Sequence, residues 1–115
     1  MSRPLAIAFL LMLTAAAHAA DPTKTDGEKY KVRFENDRVR VLEYRDTPGE
    51  KTHQHDHPAF VLYAVSPFRR KLALPDGKVL MREFKAGEVM WSDAQTHIGE
   101  NVGDTPTHVI MIEMK

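Results

Sequence analysis

The chain has 115 residues, 16 basic against 16 acidic side chains, and no cysteine. That length supports one hydrophobic core and one domain, and a formal net charge of zero without a basic patch interleaved with aromatics excludes the electrostatic footprint of a nucleic-acid binder. With no thiols, stability rests on the core, a metal or a partner chain.

The first residues, Met1-Ser2-Arg3-Pro4, lead into a charge-free run from Leu5 to Ala17 and then Ala17-His18-Ala19. A basic start, an apolar stretch and small residues at −3 and −1 predict a secretory signal peptide over residues 1–19, cut after Ala19. The apolar run is 13 residues long, whereas a membrane-spanning helix needs about 20. The protein is therefore expected to be secreted or periplasmic, with no membrane association after cleavage. Residues 20–29 are polar, contain Pro22 and Gly27, and read as a flexible leader.

From Tyr30 the pattern changes to apolar residues at every second position, Val32 and Phe34 and then Val39 and Val41, separated by an Asn36-Asp37 turn. Such alternation predicts strands with one wet face. Thr47-Pro48-Gly49-Glu50 breaks the chain, and Ala59 to Val65 reads as a buried strand. Arg69-Arg70-Lys71, the one basic run, opens the next strand and is expected to form a solvated edge. Leu72 and Leu74 enter Pro75-Asp76-Gly77, and Val79 to Phe84 returns, which predicts a hairpin. Ala86-Gly87-Glu88 turns the chain into Val89-Met90-Trp91, and His108 to Met114 forms a last strand. About eight short strands in so small a chain predict an all-β sandwich or barrel over residues 30–115.

His55 and His57 lie at i and i+2 of an extended segment, so both imidazoles leave one side of the strand and can reach one ion. His97, from a distant strand, can complete the group. These three are the predicted metal ligands. His53 shares the direction of His55 but lies nearer the turn, while His108 sits on the apolar closing strand and is expected to be an ordinary packed histidine. Tyr63, Gln95 and Trp91 are candidates for a substrate pocket, and Phe60, Val61, Leu62 and Met90 for its apolar wall.

At Gly49 and Gly87 the chain resembles the cupin family, whose motifs are written G-x5-H-x-H-x3,4-E-x6-G and G-x5-P-x-G-x2-H-x3-N. Gly49 is followed by five residues and then His55-Asp56-His57. In the second motif Asp93 stands for the proline and Gln95 for the glycine; the spacing to His97 is one residue short, and His97-Ile98-Gly99-Glu100-Asn101 restores H-x3-N. The resemblance implies a small single-domain cupin, a jelly-roll barrel of antiparallel strands, with Asn101 bracing a loop. The family's glutamate ligand is missing: Val61 and Leu62 occupy its positions, and no Asp, Glu, Asn or Gln occurs between His57 and Asp76.

The implied site is therefore three neutral imidazoles, His55, His57 and His97, holding one divalent transition metal ion (iron, manganese, nickel, copper or zinc), with His53, Gln95 and Tyr63 around them. Some cupins with a three-histidine site are iron dioxygenases. Neutral ligands leave the full charge of the ion for the open positions, which favours an anionic, chelating small molecule. Two readings follow: an exported dioxygenase-like oxidoreductase, or a non-catalytic module binding a metal or small metabolite. A homodimer is expected because so small a core has a modest margin.

Overall fold

The computed structural model describes residues 2–4 and 20–115, so the predicted signal peptide lies largely outside the described residues. A short helix, α1 (Pro22–Thr25), precedes β1 (Tyr30–Glu35), β2 (Val39–Asp46), β3 (His55–His57), β4 (Phe60–Ala64), β5 (Phe68–Ala73), β6 (Val79–Phe84), β7 (Val89–Ser92), β8 (Gln95–Asn101) and β9 (Thr107–Met114). All pairings are antiparallel, in a five-stranded sheet ordered β1-β2-β9-β4-β7 and a four-stranded sheet ordered β3-β8-β5-β6. The all-β expectation holds, with nine strands among the described residues.

The turns lie where the sequence places them. Gly49 and Gly87, which open the two motifs, have φ of 87° and 90°, a region in which any Cβ is strained. The Pro75-Asp76-Gly77 signal joins β5 to β6 as a hairpin in which Asp76 Oδ1 accepts from Lys78 N at 2.9 Å.

The inner faces of both sheets meet around a core of Tyr30, Leu42, Tyr44, Phe60, Leu62, Ala64, Phe68, Phe84, Val109 and Met111. Leu42 is fully buried, which contributes about 1.5–3 kcal/mol, and Phe68 stacks on Phe84 with ring centroids 4.9 Å apart. On β2 the inward register is Leu42 and Tyr44, so Val39 and Val41 belong to the other face. That face is also apolar: Phe34, Val41, Ile112, Val61 and Trp91 stand in register across all five strands, Phe34 and Trp91 being more than half exposed. Alternation alone assigns two faces to a strand without saying which one is covered.

Two further expectations are corrected. The Arg69-Arg70-Lys71 strand is internal, between β8 and β6, and its alternation sends Arg70 into the barrel. Residues 20–29 are fastened to the barrel. Asp21 caps α1 and binds Arg40 of β2 through both carboxylate oxygens, at 2.7 and 3.1 Å. Buried Asp26 accepts from the backbone and ring of His53, and Ala20 exchanges bonds with Asp56, its N–H donating to Oδ2 at 2.6 Å. The leader is polar because its partners are charged.

Candidate metal centre

Strand pairing assembles the site. In the β3–β8 ladder His55 lies opposite His97, and His57 opposite Gln95. The i, i+2 spacing sends both β3 imidazoles to the inner face, where His97 meets them. Ring centroids are 4.7 Å apart for His55 and His57, 4.8 Å for His55 and His97, and 5.2 Å for His57 and His97. One nitrogen from each lies within 4.8 Å of the others, and all three residues are buried.

The remaining nitrogens determine what this cluster can do. His55 Nδ1 donates to the His53 carbonyl at 2.8 Å, His57 Nδ1 to Glu113 Oε2 at 3.0 Å, and His97 Nδ1 to Gln95 Oε1 at 2.7 Å. Those oxygens can only accept, so each Nδ1 carries a proton, and in the neutral imidazole the Nε2 turned toward the other rings keeps its lone pair. His57 Nε2 is buried without a hydrogen-bond partner among the described residues. A buried acceptor left unpaired is costly in a finished fold, and here it faces two more imidazoles. His55 Nε2 has a neighbour, the Tyr30 hydroxyl at 3.3 Å. Burial, followed by mutual repulsion among the rings, pushes His55 down to about 4 and His97 down to about 2, so both are neutral at ordinary pH. Neutral, oriented and converging imidazoles fit a transition metal ion.

Glu113 links this group to the leader. It is 2% exposed and lies between His57 and Arg40, whose Nε donates to Oε1 at 2.7 Å; Arg40 in turn holds Asp21. Burial alone would raise the Glu113 carboxyl, but hydrogen bonds from His57 and Arg40 outweigh it and hold it below the usual range. Thus the carboxylate that the first motif lacks as a ligand reaches His57 from β9 as an acceptor. The sequence signal for it was a single acid, Glu113, in register with Val109 and Met111 on an otherwise apolar strand.

Gln95 lies beside the cluster, its Oε1 accepting from His97 Nδ1. His53 contributes its backbone carbonyl, while its ring, 79% exposed, turns to Asp26. Tyr63 is not brought to the site: it lies on the outer face of β4, 42% exposed, opposite Val89. Tyr30 stands by His55 instead. His108 pairs with Glu43 at 2.8 Å, away from the cluster. Asn101 is buried and braces the β8–β9 connection, donating to Asp46 Oδ1 and the Thr105 carbonyl and accepting from Gly103 N–H.

His57 and His97 border a cavity of about 110 Å³ between the sheets, with walls from Phe60, Leu62, Phe84 and Met90 and with Gln95 and Trp91 also lining it. Val61, expected in the wall, points to the outer face. At the inner end Arg70 binds Asp46 at 2.5 Å and the Tyr44 hydroxyl at 3.2 Å. Gly99 makes room for it, since a Cβ there would lie 2.5 Å from Arg70 Nη2.

No protein-family model matches the sequence, and no curated protein matches it. Solved structures do. A cupin domain protein from Bordetella pertussis Tohama I is 27% identical, with a TM-score of 0.68 over 75% of this chain and 91% of that one. A double-stranded β-helix protein from Klebsiella pneumoniae is 22% identical, with a TM-score of 0.59 over 74% of each chain. The polyketide cyclase RemF from Streptomyces resistomycificus is 18% identical, with a TM-score of 0.56 over 74% of this chain and 63% of that one. Two antiparallel sheets closing on a histidine cluster, together with these neighbours, give the chain the cupin fold, an all-β jelly roll, and support its place in the cupin superfamily.

Proposed function

We propose that this protein is an exported, metal-dependent oxidoreductase of the dioxygenase kind, acting on a small chelating organic compound at His55, His57 and His97. The observation that carries the reading is the hydrogen-bonding of the three rings: every Nδ1 is committed to an acceptor, and His57 Nε2 is left buried and unpaired. When bound, a divalent ion held by neutral imidazoles supplies Lewis-acid and redox chemistry and keeps its charge for an anionic chelator. The chain's own residues do the rest. Glu113, Gln95 and the His53 carbonyl hold the rings in one tautomer, and Phe60, Leu62 and Met90 exclude water from the reacting compound. Burial raises the Tyr30 hydroxyl and keeps it a proton donor beside His55.

A non-catalytic binding module is the second reading, and one observation favours it. Glu113 is engaged by both His57 and Arg40, and among the described residues no carboxylate borders the cavity as a free base. The cupin fold also serves other chemistry, RemF being named a polyketide cyclase. Metal analysis of protein from its native compartment is the first test. The second loads iron(II) anaerobically, adds a β-diketone, a catechol or a thiol, and admits oxygen. Oxygen uptake that needs both the chelator and His97 supports the enzyme; tight chelator binding without turnover under any metal favours the module.

Export and pairing are part of the same proposal. Cleavage after Ala19 would place a free α-ammonium where the Ala20 N–H already meets Asp56, and an intact mass lacking residues 1–19 is the expected result. The apolar row from Phe34 to Trp91 supports a homodimer built on the five-stranded sheet, and sedimentation of Trp91→Lys against the native protein tests it.

A further inference from the structure

Strand β6 carries a residue that its own alternation does not explain. Leu80, Arg82 and Phe84 take the inward positions, and Val79, Met81 and Glu83 the outward ones. An arginine thus stands between inward-facing Leu80 and the core residue Phe84, and it borders the cavity. Directly opposite it on β5 is Arg70, and like charges facing each other across a ladder are unfavourable. Arg70 is matched: Asp46 is 2.5 Å from its Nη1, and the other Asp46 oxygen accepts from Asn101. Arg82 is not. Its one hydrogen bond is to the Met81 carbonyl at 3.5 Å, and among the described residues no acid pairs with it. An unmatched cation facing inward is the kind of local inconsistency that marks a functional position.

We infer that Arg82 anchors a negatively charged group on the compound that occupies this cavity. The ligand class is then a small organic acid with a chelating oxygen pair facing the histidines and a separate carboxylate facing Arg82; the chelating half of this statement rests on the metal reading proposed above. Guanidinium suits the task because its planar fork receives a carboxylate through two parallel bonds, which a lysine cannot reproduce. The cavity, about 110 Å³, has room for a single-ring compound of roughly ten non-hydrogen atoms, one water-sized group needing about 10–15 Å³ on this measure.

The experiment compares 3,4-dihydroxybenzoate with catechol, which share the chelating pair and differ by the remote carboxylate. Binding to cobalt(II)-loaded protein is read from the cobalt absorption and by isothermal titration. The native protein should bind the acid at least about tenfold more tightly than catechol, with the fork–carboxylate pair supplying the difference. Arg82→Gln should remove that preference and leave catechol affinity and cobalt uptake unchanged, and Arg82→Lys should restore part of it. Arg82→Leu should raise the melting temperature by about 3 °C, because it relieves the repulsion with Arg70 and completes the apolar alternation. A second arm titrates benzoate into metal-free protein and expects weaker binding that still depends on Arg82. Failure of the native protein to take up cobalt overturns the metal reading. Equal affinity for acid and catechol, equal loss of both in Arg82→Gln, or benzoate binding indifferent to Arg82 overturns the assignment of Arg82.

Discussion

Glu113→Gln separates a metal centre from a merely buried ion pair. The native carboxylate accepts from Arg40 Nε at 2.7 Å and from His57 Nδ1 at 3.0 Å, inside a side chain only 2% exposed. A glutamine of the same shape keeps one accepting oxygen and turns an NH2 group toward the other donor. Arg40 cannot lose a proton, so the amide oxygen stays with it and the NH2 faces His57. The ring relieves that clash by moving its proton from Nδ1 to Nε2, which removes the lone pair that faces His55 and His97. Metal affinity should therefore fall about 10- to 100-fold, equal to about 1.4–2.7 kcal/mol. Metal-free protein should lose about 1.5–3 kcal/mol, the worth of one hydrogen bond to a charged group. Competition for zinc(II) against a chromophoric chelator measures the first quantity, and the urea midpoint of metal-depleted protein measures the second. Unchanged zinc affinity alongside lowered stability would refute the orienting role and leave Glu113 as a structural partner of Arg40.

His97→Ala should abolish most zinc binding while His108→Ala leaves it intact, because only His97 stands in the cluster; isothermal titration of both variants checks this. Metal-depleted protein should lose stability as the pH falls below 6.5: His55 and His97 stay neutral when folded, being held near 4 and 2, while the unfolded chain takes up protons at 6.5. Since the unfolded state binds more protons, stability rises with pH, and the two residues together cost about 2–3 kcal/mol at pH 5.5 relative to pH 7.5, measurable by urea denaturation across that range. Asp21→Ala should lower the melting temperature by about 5 °C through loss of the α1 cap and of the Arg40 pair, and should weaken zinc binding less than Glu113→Gln because it acts two contacts further from His57; calorimetry and the same competition assay read the two effects.

Local pattern alone determined much of this protein. The i, i+2 pair His55 and His57, the turns at Gly49, Gly77 and Gly87 and the alternating strands follow from short-range geometry, and the motif spacing adds His97. Tertiary structure decided which face of each strand is covered: β2 buries Leu42 and Tyr44 rather than Val39 and Val41, because the outer face of its sheet is apolar as well. It likewise replaced Tyr63 with Tyr30 beside the histidines and drew the polar leader onto the barrel. The pairs that orient or neutralise the site, His57 with Glu113 and Arg70 with Asp46, join residues 56 and 24 positions apart. Such partners are fixed by which strands lie side by side and in what register, and sheet order depends on the packing of the whole chain, beyond the reach of any local periodicity.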